Sequence, residues 1–211
     1  FTLSAQFTPP YSLFSKKDYK SLYESSSRAD REELYRWIEY YKIKFKSRVY
    51  TPLNNSEKYT LVLMGRADFG LLGSYNKYKQ TPFETFHVGG DGMTGSYTYA
   101  TETIGLRGYD NGALTPYSDG RAYTRFSMEL HFPFLLQPSS TIYGLAFVEG
   151  GNAWTSLENF NPFSLKRSAG VGVRIFLPMI GLMGIDWAYG FDKVQGEKGG
   201  GHFHFILGQE F

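Results

Sequence analysis

The sequence predicts an all-β protein, a transmembrane antiparallel β-barrel represented here by eight strands. Three observations carry this reading. Eight segments read as strands, nearly all alternating apolar and polar residues with a period of two, their connections alternate strictly between long and short, and no apolar run approaches the length of a spanning helix. Barrel strands cross a membrane with only about 9–11 residues each. The composition agrees: aromatic content is 18% and there are 24 Gly, yet mean hydropathy is slightly negative. Strands with one apolar and one polar face have that balance.

The first strand, residues 1–8, sets Phe1, Leu3, Ala5 and Phe7 against Thr2, Ser4, Gln6 and Thr8, and Pro9-Pro10 ends it. Residues 9–33 are polar and read as a long solvated loop with one helical turn, for which Ser27 and Asp30 are the cap candidates. From Tyr41 the alternation is clear: Tyr41, Ile43, Phe45 and Val49 face one side, and Lys42, Lys44, Lys46 and Arg48 the other. A short turn at 52–57 leads into 58–72, where Tyr59, Leu61, Leu63, Ala67, Phe69 and Leu71 are the apolar row. The tract 75–120, rich in Gly, Tyr, Thr and Asp, follows. An irregular loop of that length is uncommon and usually functional.

Arg121 to Phe132 alternates most cleanly, with Ala122, Phe126, Met128, Leu130 and Phe132 opposing Tyr123, Arg125, Ser127, Glu129 and His131. Residues 133–140 read as a turn. Both rows of 141–149 are apolar until Glu149, so its faces stay unassigned, and Gly150-Gly151-Asn152 is a candidate bulge. After a medium loop at 155–164, Ala169, Val171, Val173, Ile175 and Leu177 oppose Ser168, Gly170, Gly172 and Arg174. A tight turn at 178–181 leads to Met183, Ile185, Trp187, Tyr189 and Phe191, opposed by Gly184, Asp186, Ala188 and Gly190. A Gly/Lys loop at 192–201 precedes the last strand, His202 to Phe211. Short turns on one rim and long loops on the other are the construction of outer-membrane barrels.

Within the long tract, Arg107 stands among apolar and glycine residues in Ile104-Gly105-Leu106-Arg107-Gly108-Tyr109-Asp110 and needs a carboxylate partner. Glu129 and Glu149 are the candidates. An eight-stranded barrel is filled by its own side chains, so a lumen that admits Arg107 requires more strands. The chain therefore reads as the C-terminal half of a larger barrel, with the strand at Phe1 pairing to sequence outside it.

Several chemistries lack support. A net charge of +2 offers no basic field for nucleic acid. There is no cysteine for disulfides. His202-x-His204 with His131 and Glu129 is weak as a metal site, and Gly89-Gly90-Asp91-Gly92 lacks phosphate-loop or EF-hand spacing. No G-x-S-x-G elbow is present. No cofactor, metal or enzymatic activity is expected.

Leu106-Arg107-Gly108-Tyr109 resembles the [V/I/L]-R-G-[F/Y] loop signature of the BamA family, the barrel assembly factors of bacterial outer membranes. Phe86 to Gly92, Ser127 to Leu130, Phe147 to Trp154, Arg167 to Arg174 and the closing Phe203 to Phe211 are similar in the same order, over most of residues 35–211. The resemblance implies the last eight strands of a sixteen-stranded barrel that follows periplasmic POTRA domains. It implies that 75–120 is the extracellular loop that folds into the lumen, where Arg107, with Gly108 and Tyr109, locks onto Glu129 and Glu149. The second acid is usually Asp, so Glu149 reaches one methylene further.

The terminal strand (His202, Phe203, His204, Phe205, Ile206, Leu207, Gly208 and Phe211) then resembles the lateral-gate strand, and Gly199-Gly200-Gly201 before it would weaken local pairing. The implied function is insertion and folding of barrel proteins. The implied partners are outer-membrane lipids and lipopolysaccharide, unfolded barrel clients and accessory lipoproteins. The competing readings are a related transporter that translocates polypeptide in two-partner secretion, a barrel fused to an enzyme, and a passive porin.

Overall fold

The structure, a computed structural model, describes residues 1–56, 59–92, 101–115, 119–137, 139–179, 181–194 and 199–208. Its strands are β1 (Thr2–Phe7), β2 (Tyr41–Pro52), β3 (Val62–Gly73), β4 (Phe86–Val88), β5 (Glu102–Ile104), β6 (Ala122–Gln137), β7 (Ser140–Trp154), β8 (Lys166–Leu177), β9 (Gly181–Gly190) and β10 (Gly201–Leu207). Eight of them form one sheet in the order β1-β2-β3-β6-β7-β8-β9-β10, every pair antiparallel. β1 and β10 are its edges. Each alternating segment of the sequence is thus a strand, joined to its sequence neighbour, in an open part of a larger transmembrane barrel.

Register gives the two faces different chemistry. Across β6 to β10, Leu130, Ala146, Val171, Trp187 and Phe203 fall in one row. Of these, Val171 is 56% and Phe203 68% exposed. A whole sheet face of exposed large apolar side chains is unfavourable in water and is the lipid-facing surface of a membrane barrel. The opposite rows bring Ser127, Glu149 and Ser168 together, and Gly172, Asp186 and His204 beside them. On this face the basic row of β2 continues the polar surface. The alternation in β7 resolves with Leu145, Phe147, Glu149 and Gly151 on the charged face.

Four expectations need correction. Residues 133–140 are not a turn: β6 runs to Gln137 and β7 starts at Ser140. Pro133 stays inside the strand because a register shift between Pro133 and Leu135 interrupts the ladder where its missing N–H matters. Gly150-Gly151-Asn152 is not a bulge, since Phe126, Arg125 and Thr124 pair with them in unbroken register. The tract 9–33 holds more than one helical turn: α1 (Tyr11–Phe14), α2 (Tyr19–Glu24) and α3 (Arg28–Tyr35). Asp18, rather than Ser27, supplies a side-chain cap, accepting from the N–H groups of Lys20 and Ser21. Lastly, Gly208 lies beyond β10 at φ 94°, although its N–H still donates to Leu182 O, and Phe211 lies outside the described residues.

The connection between β3 and β6 is the predicted long one, but it carries structure. β4 and β5 pair in parallel, Phe86 with Glu102 through Val88 with Ile104. Phe86, Val88, Ile104, Leu106, Tyr109 and Leu114 of this loop bury themselves with Leu72, Tyr123 and Ala153 of the sheet. The loop therefore folds onto the charged face around an apolar core of its own.

Candidate functional site

Where the loop meets β6, β7 and β9, Arg107 is the centre. Its exposure is 5%. Nη2 donates to Glu149 Oε1 at 2.6 Å and to Glu129 Oε1, and Nη1 donates to Asp186 Oδ2 at 3.0 Å. The backbone N–H of Arg107 donates to Glu149 Oε2 at 2.9 Å, so one carboxylate holds both the main chain and the side chain of one residue. Cζ lies 3.5 Å from the centroid of the Phe147 ring, a cation–π contact from below.

The surrounding charges close the network. Ser127 Oγ donates to Glu149 Oε1 at 3.0 Å, and Arg125 Nη2 lies 3.7 Å from the same oxygen. Arg174 Nη2 donates to Asp186 Oδ2 at 2.7 Å, and His131 Nε2 lies 2.8 Å from Glu129 Oε2. Three guanidinium groups (Arg107, Arg125, Arg174) thus face three carboxylates (Glu129, Glu149, Asp186). Burial opposes the charge of Arg107, but Glu149, Glu129 and Asp186 together hold its pKa well above the ordinary value. It is a fixed cation.

Glycine makes the fit. Gly108 has φ 87°, and a Cβ there would stand 2.8 Å from Ser168 Cβ and 3.0 Å from Gly190 N. Its N–H donates to His204 Nε2 of β10 at 2.9 Å. Tyr109 Oη donates to the carbonyl of Arg167 at 2.6 Å, and burial pushes its pKa up to about 12. A Cβ on Gly151 would come within 3.1 Å of Leu106 Cδ1. The small residues of β7 to β9 leave room for loop backbone.

The loop has a second attachment to β2. Glu102 of β5 accepts from Lys44 Nζ at 2.9 Å, with Lys42 Nζ at 3.2 Å and Lys46 Nζ at 3.6 Å. Lys42 also donates to Glu84 at 3.1 Å and lies 4.8 Å from the centroid of Phe86. The lysine row of β2 is occupied by loop carboxylates.

The structure therefore brings Arg107, Gly108, Tyr109, Glu129 and Glu149 together. Of the terminal strand, His202, His204 and Ile206 share the charged face, and Phe203, Phe205 and Leu207 the apolar one, all paired to β9. Gly201 pairs with Tyr189 within the strand, so the glycine run does not break β10 there. His202 Nδ1 lies 3.2 Å from Asp110 Oδ1 and His204 holds Gly108, so both histidines serve the loop. Among the described residues no cluster of three metal-type ligands occurs. Sequence reasoning missed Asp186, Phe147, Glu84 and Glu102. Asp186 carried a signal, a lone acid in a Gly/Ala row opposite Trp187 and its neighbours, but only register could aim it at Arg107.

A lipid-facing sheet whose other face is packed by a loop anchored through Arg107 and Glu102 defines part of a membrane β-barrel. The chain belongs to the Omp85 superfamily, whose superfamily domain matches residues 24–211. Its fold is similar to that of BamA from Haemophilus ducreyi lacking POTRA domains 1–3, with a TM-score of 0.58 and 20% identity over 79% of this chain. The chain spans 35% of that protein. The resemblance read from the loop signature is thereby borne out at the level of superfamily and fold.

Proposed function

We propose that this chain is part of a bacterial outer-membrane factor that inserts and folds other β-barrel proteins, without cofactor, metal or chemical catalysis. The loop is the extracellular plug of the barrel and lies in its lumen. The observation that carries the reading is the continuity from plug to edge: Arg107 is held by three carboxylates on three strands, and the next residue bonds His204 of β10. An edge strand presents unpaired N–H and C=O groups that can template an incoming strand by β-augmentation. In this mechanism the locked plug shapes the lumen while β10, as the lateral gate, opens to the client. Lipids, lipopolysaccharide and accessory lipoproteins are the partners such a factor meets.

The full-length protein in vesicles tests this. Arg107→Ala is expected to lower the folding of an unfolded barrel client, scored by conversion to its heat-modifiable band; undiminished folding would sink the claim. A disulfide engineered between β10 and the barrel's first strand is expected to stop assembly until reduced. Full activity of the locked form refutes the gate. A transporter of the same superfamily would instead pass a soluble polypeptide into the vesicle and leave the barrel client unfolded.

A further inference from the structure

The apolar face is not uniformly filled. A depression of about 560 Å³ crosses β2, β3, β6 and β7 and is lined by Val49, Gly65, Ala67, Phe126, Met128 and Val148, with Leu165 closing one side. A second of about 500 Å³ adjoins it through Val148 and Arg167 and reaches Phe191. The furrow exists because outward positions are small where the neighbouring rows are large. Gly65 pairs with Met128, and Ala67 with Phe126, which in turn pairs with Gly150. Around an added Cβ at Gly65 there is nothing within 4 Å. Its volume lies in the range of small-molecule sites, about 300–1,000 Å³.

The two ends differ in chemistry. The floor is apolar, whereas Arg167, the second residue of β8, stands at the long-loop rim. Arg167 bonds Asp192 through Nε at 3.1 Å and Nη2 at 2.9 Å, yet its side chain remains 70% exposed. A guanidinium so placed keeps an open edge for an anionic oxygen, and phosphate is the anion it fits best. The furrow is continuous with the lipid-facing surface, so its apolar length meets hydrocarbon and its charged end meets the headgroup layer.

We infer that the furrow is a lipid site: one acyl chain of a phosphate-bearing membrane lipid lies across β2, β3, β6 and β7, with its phosphate at Arg167. The site rests on the lipid-facing assignment of the sheet and not on assembly activity. It holds a resident lipid against the strands that carry Glu129 and Glu149 on their other face.

The test uses the full-length protein in vesicles that contain phosphatidylglycerol with a diazirine midway along one chain. Irradiation followed by peptide mass spectrometry is expected to concentrate adducts on Phe126, Met128 and Val148 relative to Val173 and Ile185 of the same face. Gly65→Leu, whose Cβ would meet nothing within 4 Å, places a side chain in the floor and removes contact with about two methylenes. Adducts at the furrow then fall by roughly tenfold, with those at Val173 unchanged. Arg167→Gln lowers them by about fivefold. The heat-modifiable band of each variant reports that the barrel is folded. Even labelling around the face, or furrow labelling indifferent to Gly65→Leu, overturns the site, as does an occupant that is a second polypeptide and excludes the lipid probe.

Discussion

At Arg107 the geometry calls for a guanidinium and not merely for a positive charge. Nη1 and Nη2 point at carboxylates on different strands, and the planar group lies over Phe147. A lysine ammonium is a single point with no flat face, so it can serve one acid well and leaves the others short of a partner. Arg107→Lys is therefore expected to fail where a simple charge requirement would be met. Uncovering a partner in a buried ion cluster costs about 3–5 kcal/mol, and the temperature at which the folded band disappears from an unboiled gel should drop nearly as far as in Arg107→Ala. Lysine that restores the wild-type temperature would reduce the site to charge balance. Much of this centre was legible: an arginine in a glycine-rich tract needs acids, and Glu129 fell on the polar row. Asp186 and Phe147 were not, because pairing of side chains across strands depends on register, which no local pattern of β9 or β7 contains.

The loop behaves as an element held at several points, chief among them Arg107 at β6, β7 and β9 and Glu102 at β2. Burial alone would raise the pKa of Glu102, but the bond from Lys44 and the charges of Lys42 and Lys46 outweigh it and hold the value below 4.5. A depressed folded-state pKa stabilises the attachment above the unfolded value, and that contribution is lost as pH falls through the folded one. The β4–β5 pair should hence loosen below about pH 4.5. Limited proteolysis of the loop is expected to quicken there in the wild type, whereas Glu102→Gln should be cleaved faster already at pH 7 and show a flatter profile. A profile shared by both proteins would remove Glu102 from the attachment. At this scale the long strands were readable because each keeps one face in lipid over a full crossing. β4 and β5 were not, being three residues each and paired across an intervening stretch of chain. The helices of 9–33 escaped for a related reason: four to eight residues give too short a window for a 3.6-residue period to emerge. Pro133 misled because a bulge let it remain in a strand.

Across the molecule the loop is a strut that reaches from β2, one strand in from an edge, to β10, the opposite edge. β10 has a single strand neighbour, β9, within this sheet. It is also fastened to the loop, through Gly108 N–H on His204 and through Asp110 beside His202. Loss of one such bond is worth about 0.5–1.5 kcal/mol, which corresponds to roughly two- to tenfold in a local opening equilibrium. In the full-length barrel, His204→Ala is thus expected to speed hydrogen exchange of the Phe203 to Ile206 amides by that factor. The β3–β6 ladder, whose strands have neighbours on both sides, should keep its rates. Arg107→Ala should accelerate the same β10 amides without touching His204, because releasing the arginine frees the backbone that carries Gly108. If exchange in β10 stays unchanged in both variants, the loop does not hold the edge strand even though each contact is present.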